Sequence, residues 1–488
     1  MIEWSDVLRS KRDKFVDRLV SVGYRPSIND SYILNSNIDI PELGKTIEVE
    51  VSIPEGFPFV PPKVRPTPAD GNRSWHLERD NSLCLWSAES EPSHPWLDPE
   101  VVLERIRKWF IEDAGGWVND LPDLDLERYW EPHGDEVLFL HNGLSDSHGF
   151  LFDVEPKWVS KNSRIYRVKR RWLPNMHMRR RHEKVLVIDV GDLKAPPREY
   201  DHLLDCVKAL YGTENAAGID RLVQNDVNWL LVRYERKGNP GILALRVTNR
   251  KPVCLKCVHA AEDSERVRDL RRGIQALSLG DVRVAIVGVG AIGSFVADQL
   301  VRSGVAHLTL FDNDIVRPGN LPRHLVSSKY IGRCKVDAIA DQLCQNGLLD
   351  RTKIEVRRSR LEPLEVERLL KEHDLVIDAT ANAIITKALA DASQLTSRPL
   401  VTVCVQHDGT VVRVDRYPIS IGEKHDQPVP RRDEVPFHSP GYEGGCGDPV
   451  SPTPPYSCIA AASLAASVAM SVVSGSSLPP TIIQHLYA

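Results

Sequence analysis

Apolar residues Val7, Leu8, Phe15, Leu19 and Val20 recur at near-helical spacing and predict an opening helix. Residues 45–53 instead alternate apolar and polar side chains, the period of a half-buried strand. Pro54, Pro58, Pro61 and Pro62 end that pattern by removing amide donors and fixing φ, so 54–68 is expected to be an ordered loop or edge. Residues 99–110 read as a helix opened by Asp98, with proline in its first turn. Short strand patterns follow at 136–141, 164–168, 184–190, 227–234 and 242–247, with one helix at 200–211. From about residue 265 the order becomes strand, glycine turn, helix, strand, the grammar of a βαβ unit in a parallel sheet.

At 488 residues the chain exceeds one ordinary core, and roughly 150 residues per domain suggests three. The pattern places them at 1–130, 131–265 and 266–488: an α+β unit, an α+β linker domain of unread role, and an α/β unit. The net charge of -5, from 62 basic and 67 acidic residues, gives no overall drive toward nucleic acid or an anionic membrane. A basic cluster with Lys169, Arg170, Arg171, Arg179, Arg180 and Arg181 reads as a solvated face, because base-stacking aromatics around it are sparse. The nine cysteines are scattered singly except for Cys254 and Cys257, which fits a reducing cytoplasm and no disulfide scaffold. The first residues lack an apolar signal core, and the Ala/Ser-rich run 458–473 is shorter than the ~20 residues of a membrane span, so a buried helix is expected there.

Residues 282–287, apolar except for Arg283, suit a buried strand and lead into Gly288-Val-Gly290-Ala-Ile-Gly293 before a helical pattern at 294–303. Such glycines allow a tight turn and close approach of backbone to phosphate, while the helix N-terminus offers free N–H groups. The next strand ends at Asp312, placed for a ribose hydroxyl of either NAD or ATP. The residues after it separate these two. Hydride transfer needs little added cation, whereas cleaving ATP at its α-phosphate needs Arg and Lys beside the triphosphate. Asn320, Arg323 and Lys335 supply that chemistry.

Over roughly residues 265–488 these motifs resemble the ThiF-type adenylation domain shared by ubiquitin-activating enzymes and the bacterial adenylases of sulfur-carrier proteins. The resemblance extends to Asp374-Leu-Val-Ile-Asp378-Ala-Thr. It implies a Rossmann-like fold that takes ATP and Mg²⁺, with Gly288, Gly290 and Gly293 at the nucleotide and Asp312 on ribose. It further implies Asn320 and Arg323 on phosphate, Lys335 on the α-phosphate and Asp378 on Mg²⁺; Asn382 matches the asparagine that follows in the family. Related domains dimerise and can lend an arginine across the dimer, for which Arg268, Arg271 and Arg272 are candidates. Two Cys-x-x-Cys pairs often hold zinc in the sulfur-carrier adenylases; this chain has only Cys254 and Cys257, which read as core or surface residues.

Two cysteines are candidate acyl carriers. Cys446, flanked by glycines within the Pro/Gly-rich stretch 418–455, has the steric access that attack on an acyl adenylate requires, and the family places its acceptor cysteine comparably. Cys458, in an apolar helical setting, reads as structural. Near the N-terminus, Pro58 to Val64, Trp75-His76-Leu77-Glu78, Cys84 and Trp96-Leu-Asp-Pro99 resemble a ubiquitin-conjugating enzyme over about 1–130. His76 matches that family's histidine, but Leu77 and Glu78 stand where it has Pro and Asn. The missing asparagine normally supports an oxyanion during aminolysis, so Glu78, His76 or a backbone N–H must substitute, or aminolysis is slow or unusual.

The resulting expectation is a fused activating and conjugating enzyme: a protein's C-terminal carboxylate is adenylated, passed to Cys446, then to Cys84, then to an amine. This domain order resembles bacterial fusions from ubiquitin-like conjugation operons, including cyclic-oligonucleotide-based antiphage signalling. The implied partner is a ubiquitin-like protein or the C-terminus of a cGAS-like nucleotidyltransferase. An NAD-dependent oxidoreductase is the competing reading, which leaves Arg323, Lys335, Asp378 and Cys446 unexplained. A scaffold that binds a ubiquitin-like fold without transfer is the other.

Overall fold

The computed structural model describes residues 3–67, 74–86, 93–121, 124–134, 136–142, 147–161, 163–172, 182–273, 279–430, 441 and 450–486. The chain divides into two compact units, Met1–Ser264 and Glu265–Ala488.

In the first unit α1 (Trp4–Ser21) precedes an antiparallel sheet of β1 (Arg25–Pro26), β2 (Ile33–Ile40), β3 (Lys45–Ser52) and β4 (Lys63–Thr67), in that order. The alternation in β3 buries Val49 and Val51 completely. Among the described strands β4 pairs with β3 alone, and that edge position tolerates Pro66 within a strand. The proline-rich loop before β4 anchors itself through Phe57, whose ring stacks on Phe15 at 4.7 Å. Helix α2 (Pro99–Ala114) starts at Asp98, whose carboxylate accepts from the Glu100 amide at 3.1 Å, and it buries Val102, Ile106 and Trp109.

Next come β5 (Glu136–His141), β6 (Leu151–Trp158), β7 (Ser163–Arg171), β8 (Glu183–Asp192), α3 (Tyr200–Tyr211), α4 (Thr213–Asn225), β9 (Trp229–Arg236), β10 (Asn239–Arg250) and β11 (Val253–Glu262). The strands close into a barrel in the order β10-β11-β5-β7-β6-β8-β9. Strands β8 and β9 are buried on both faces, which is why they read as continuous apolar runs. Val185, Val187, Trp229 and Leu231 fill the barrel core, while Leu186, Ile188, Leu230 and Val232 join a second core shared with α2 and the four-stranded sheet. Three basic residues of β7 are engaged locally: Lys169 pairs with Glu155 at 2.9 Å, Arg167 with Asp263, and Arg164 lies 3.7 Å over the Trp158 ring. Arg179, Arg180 and Arg181 lie outside the described residues.

The second unit runs α5 (Glu265–Arg272), β12 (Arg283–Val287), α6 (Gly293–Arg302), β13 (His307–Phe311), α7 (Lys335–Cys344), β14 (Ile354–Arg357), α8 (Val366–Glu372), β15 (Leu375–Asp378), α9 (Ala383–Thr396), β16 (Leu400–Gln406), β17 (Val411–Tyr417), α10 (Pro455–Val473) and β18 (Thr481–His485). Its seven-stranded sheet has the order β14-β13-β12-β15-β16-β17-β18, parallel through β16 and antiparallel beyond. The order reverses between β12 and β15, so their C-terminal ends flank a crevice, the usual ligand position in an open parallel sheet. Helix α10 is long and apolar enough to cross a membrane by length and composition, and half of that apolar window is buried within the unit. On α5, Arg272 is taken up by Asp269 at 2.6 Å and Glu265 at 3.6 Å.

Candidate functional site

The three glycines after β12 do different work. Gly288 has φ +83°, and a Cβ there would come within 3.0 Å of the Thr380 Cα beyond β15. At Gly293 a Cβ would lie 1.9 Å from the Gly288 carbonyl oxygen, so only glycine lets α6 begin this close to the turn. A Cβ at Gly290 would meet only the His324 Cε1, at 4.0 Å. Gly290 therefore faces open space, and its amide and that of Ala291 donate to no acceptor among the described residues. Asp312, at the end of β13, uses one carboxylate oxygen on the Val289 amide at 3.1 Å and the other on the Asp314 amide at 2.9 Å, which ties the glycine turn to the second strand.

Gly288, Gly290, Asp312, Asn320, Arg323 and Lys335 line one cleft of about 1040 Å³. Lys335, the first residue of α7, donates to Asp314 at 2.7 Å. Burial alone would raise the Asp314 carboxyl, but the hydrogen bonds from Lys335 and the Ile315 amide hold it below the usual range. The Asn320 side chain caps its own turn by accepting the Arg317 amide at 2.9 Å, and the turn carries Arg323, which reaches the Ser451 carbonyl at 3.3 Å. Arg317, Arg360 and His324 also line the cleft and were not singled out by the sequence motifs. His324 is 9% exposed, and burial, with Lys335 and Arg323 beside it, pushes its imidazole down to about 4. The cleft thus presents fixed cations and one neutral imidazole around free amides, an arrangement suited to a polyphosphate.

Asp378 closes β15 and is 2% exposed. Its Oδ1 accepts the Thr380 amide at 3.0 Å and hydroxyl at 2.7 Å, and its Oδ2 accepts the Thr386 hydroxyl. One acceptor position on Oδ2 remains, which fits a hydrated hard cation such as Mg²⁺. Asn382 caps α9 through the amides of Ile384 and Ile385.

In the first unit Cys84 follows a tight hairpin in which Leu77 and Leu83 bridge, and its amide donates to the His76 carbonyl at 2.8 Å. The thiol opens into a cavity of about 1130 Å³ that Glu78 and Arg128 also line. Arg128, from the turn 126–129, donates to Glu78. Burial pushes the Cys84 thiol up; a hydrogen bond from Arg128 opposes that and Glu78 adds to it. His76 points elsewhere: its Nε2 meets Asp120 at 2.9 Å and its ring lies 4.1 Å from that of Trp117. Asp120 also binds Arg236 and Lys237, so this histidine belongs to a packed ionic cluster.

Cys446 lies outside the described residues. Cys458 sits in the first turns of α10 at 2% exposure, and burial raises its thiol. Cys257 is buried in β11, its thiol donating to the Glu127 and Trp130 carbonyls at 3.6 and 3.7 Å, while Cys254 is exposed. No group of three or more potential metal ligands occurs among the described residues.

Residues 265–482 match the ThiF family. Over 162 residues, 33% of this chain, the sequence is 32% identical to the adenylyltransferase and sulfurtransferase uba4 of Aspergillus clavatus, covering 32% of that protein. It is 31% identical over 170 residues to the ATP-dependent ubiquitin transferase-like protein Cap2 of Escherichia coli strain TW11681, covering 33% of this chain and 28% of that one. Identity to the molybdopterin-synthase adenylyltransferase of Escherichia coli K12 is 35% over 126 residues, 26% of this chain and 50% of that one. The matches thus span about a third to a half of these relatives. The glycine turn, Asp312 and the cationic cleft all fall within the stretch 265–482 that matches the ThiF family.

Proposed function

We propose that the protein uses Mg-ATP to activate the C-terminal carboxylate of a protein partner, carries the acyl group first on Cys446 and then on Cys84, and delivers it to an amine. The observation that carries this reading is the cleft in which Arg323 and Lys335 stand beside the open face of Gly290. There the carboxylate attacks the α-phosphorus, pyrophosphate leaves, and the two cations balance charge on the phosphate oxygens. Asp378 would hold Mg²⁺, which supplies further charge neutralisation. Cys446 then attacks the acyl carbon of the adenylate and AMP leaves; Cys84 takes the acyl group by transthioesterification. A relative named a ubiquitin transferase-like protein supports a ubiquitin-like protein as the partner, and the C-terminus of a cGAS-like nucleotidyltransferase is the alternative. We assign residues 1–130 to the conjugating role, the whole to bacterial antiphage conjugation in the cytoplasm, and the acting species to a homodimer with Arg268, Arg271 or Arg272 offered across it.

Intact mass spectrometry of the protein with Mg-ATP and a glycine-terminated ubiquitin-like partner tests the scheme. A thiol-labile adduct is expected, lost in Cys446→Ala and trapped before Cys84 in Cys84→Ala. ATP–pyrophosphate exchange without an adduct on either cysteine would sink the thioester half.

A further inference from the structure

The Cys84 cavity holds a second piece of chemistry that the conjugating-enzyme motif does not account for. Glu78 occupies the position where that motif has asparagine, and the hairpin carries its carboxylate into the same cavity as the thiol. Arg128 arrives from a separate segment and donates to Glu78. The Glu78 amide is fixed by the Ser82 carbonyl at 2.7 Å, and Arg128 is further held near the Tyr129 ring at 5.5 Å. Both side chains are at least partly shielded, with 21% of Arg128 and 36% of Glu78 exposed. His76, the residue the motif would nominate, does not line this cavity.

We infer that Arg128 and Glu78 bracket Cys84 as a catalytic pair: Arg128 holds the thiolate that forms as the acyl group arrives or leaves, and Glu78 accepts the proton of the attacking amine. This rests on the reading of Cys84 as an acyl carrier. In loading, the Cys84 sulfur bonds to the acyl carbon, the donor thioester's carbon–sulfur bond breaks, and the thiol proton leaves with the departing thiolate. In discharge, an amine nitrogen bonds to the acyl carbon, its surplus proton passes to Glu78, and the Cys84 carbon–sulfur bond breaks to give a thiolate beside the Arg128 guanidinium. Glu78 thus acts as a base where the family's asparagine acts as a hydrogen-bond donor to the oxyanion, and the guanidinium supplies the positive charge.

The test uses the full chain and two small probes, so it needs no identified partner. Alkylation of Cys84 by iodoacetamide near neutral pH, read by peptide mass, reports thiolate character. Arg128→Met is expected to slow it about three- to tenfold, and Glu78→Gln to speed it, because the two neighbours act on the thiol with opposite sign. Shifts in the same direction, or none in variants with wild-type circular dichroism, overturn the bracket. The second probe is the 2-mercaptoethanesulfonate thioester of acetylglycine, with free lysine as amine. Discharge per loaded Cys84 is expected to fall about a hundredfold in Glu78→Gln, the low end for a lost general base, and to recover in part in Glu78→Asp. A wild-type protein that never loads on Cys84 overturns the acyl-carrier reading itself. One that loads normally while Glu78→Gln discharges at the wild-type rate overturns the inference alone.

Discussion

Gly290 and Gly293 belong to one turn yet should answer a single methyl group in opposite ways. At Gly293 the methyl would sit 1.9 Å from the Gly288 carbonyl oxygen, backbone that cannot give without moving β12 or α6. Gly293→Ala is therefore expected to cost about 2 kcal/mol or more in urea unfolding and to lose ATP–pyrophosphate exchange with it. At Gly290 the nearest atom to the methyl is His324 Cε1 at 4.0 Å, so Gly290→Ala should melt like wild type while raising the KM for ATP roughly tenfold. Equal loss of stability in both variants would remove the distinction between a packing glycine and a ligand-facing one. His324 gives a second residue-scale test. Its folded imidazole titrates near 4 against an ordinary 6.5, so between those values the unfolded chain binds more protons and stability rises with pH. The contribution is intact above about 6.5, is lost as pH falls toward 4, and is worth on the order of 3 kcal/mol in full. His324→Gln should flatten that part of the stability profile; an unchanged slope between pH 6.5 and 4 would show that the imidazole is not held neutral.

At the scale of elements, α10 carries the sharpest stability expectation. Ala461, Ala465 and Ala469 are 0% exposed along the helix face that packs against α6 and β16, while Ser467 is exposed. Ala465→Leu should overpack that face and cost about 1–3 kcal/mol in denaturant unfolding, whereas Ser467→Leu should stay within about half a kcal/mol. Elements of this kind were legible because their signals are local. The glycine turn, Asp312 at the end of β13 and the Asp98 start of α2 each occupy a few consecutive residues whose chemistry fixes their conformation. The barrel was not legible as a barrel: the patterns indicate β5, β7, β8, β9, β10 and α3 but not β6, β11 or α4. Closure depends on the parallel pairs β5–β7 and β5–β11, and Leu138 meets His259 across a sequence gap that no local period encodes. The same holds at the sites. Cys84 is visible from its loop, but Arg128 comes to it from another segment, and the neutrality of His324 depends on burial and on two cations that arrive from α7 and its own turn. His76 shows the converse, a residue whose local motif suggests chemistry and whose long-range partners, Asp120 and Trp117, engage its ring.

For the whole molecule, the lining residues of the cationic cleft and those of the Cys84 cavity fall on opposite sides of the division at Ser264/Glu265, each set wholly inside one unit. Activation should therefore not need the first unit, because Gly288 through Asp378 and the cations of the cleft are all retained in 265–488. Transfer onto Cys84 is different in kind. On one chain the two units meet at an effective concentration in the millimolar range, whereas separate units at ~10 µM must find each other by diffusion. Expressed apart and mixed at ~10 µM, the two pieces should sustain ATP–pyrophosphate exchange within about twofold of the intact chain. Loading of Cys84 in a single-turnover mass assay should slow on the order of a hundredfold and become dependent on concentration. If 265–488 alone exchanges pyrophosphate no faster than background while remaining folded by circular dichroism, the first unit contributes to the adenylation step itself. If the mixed pieces load Cys84 as fast as the intact chain, the covalent link does not set the transfer rate, and the two units bind each other tightly enough to do so without it.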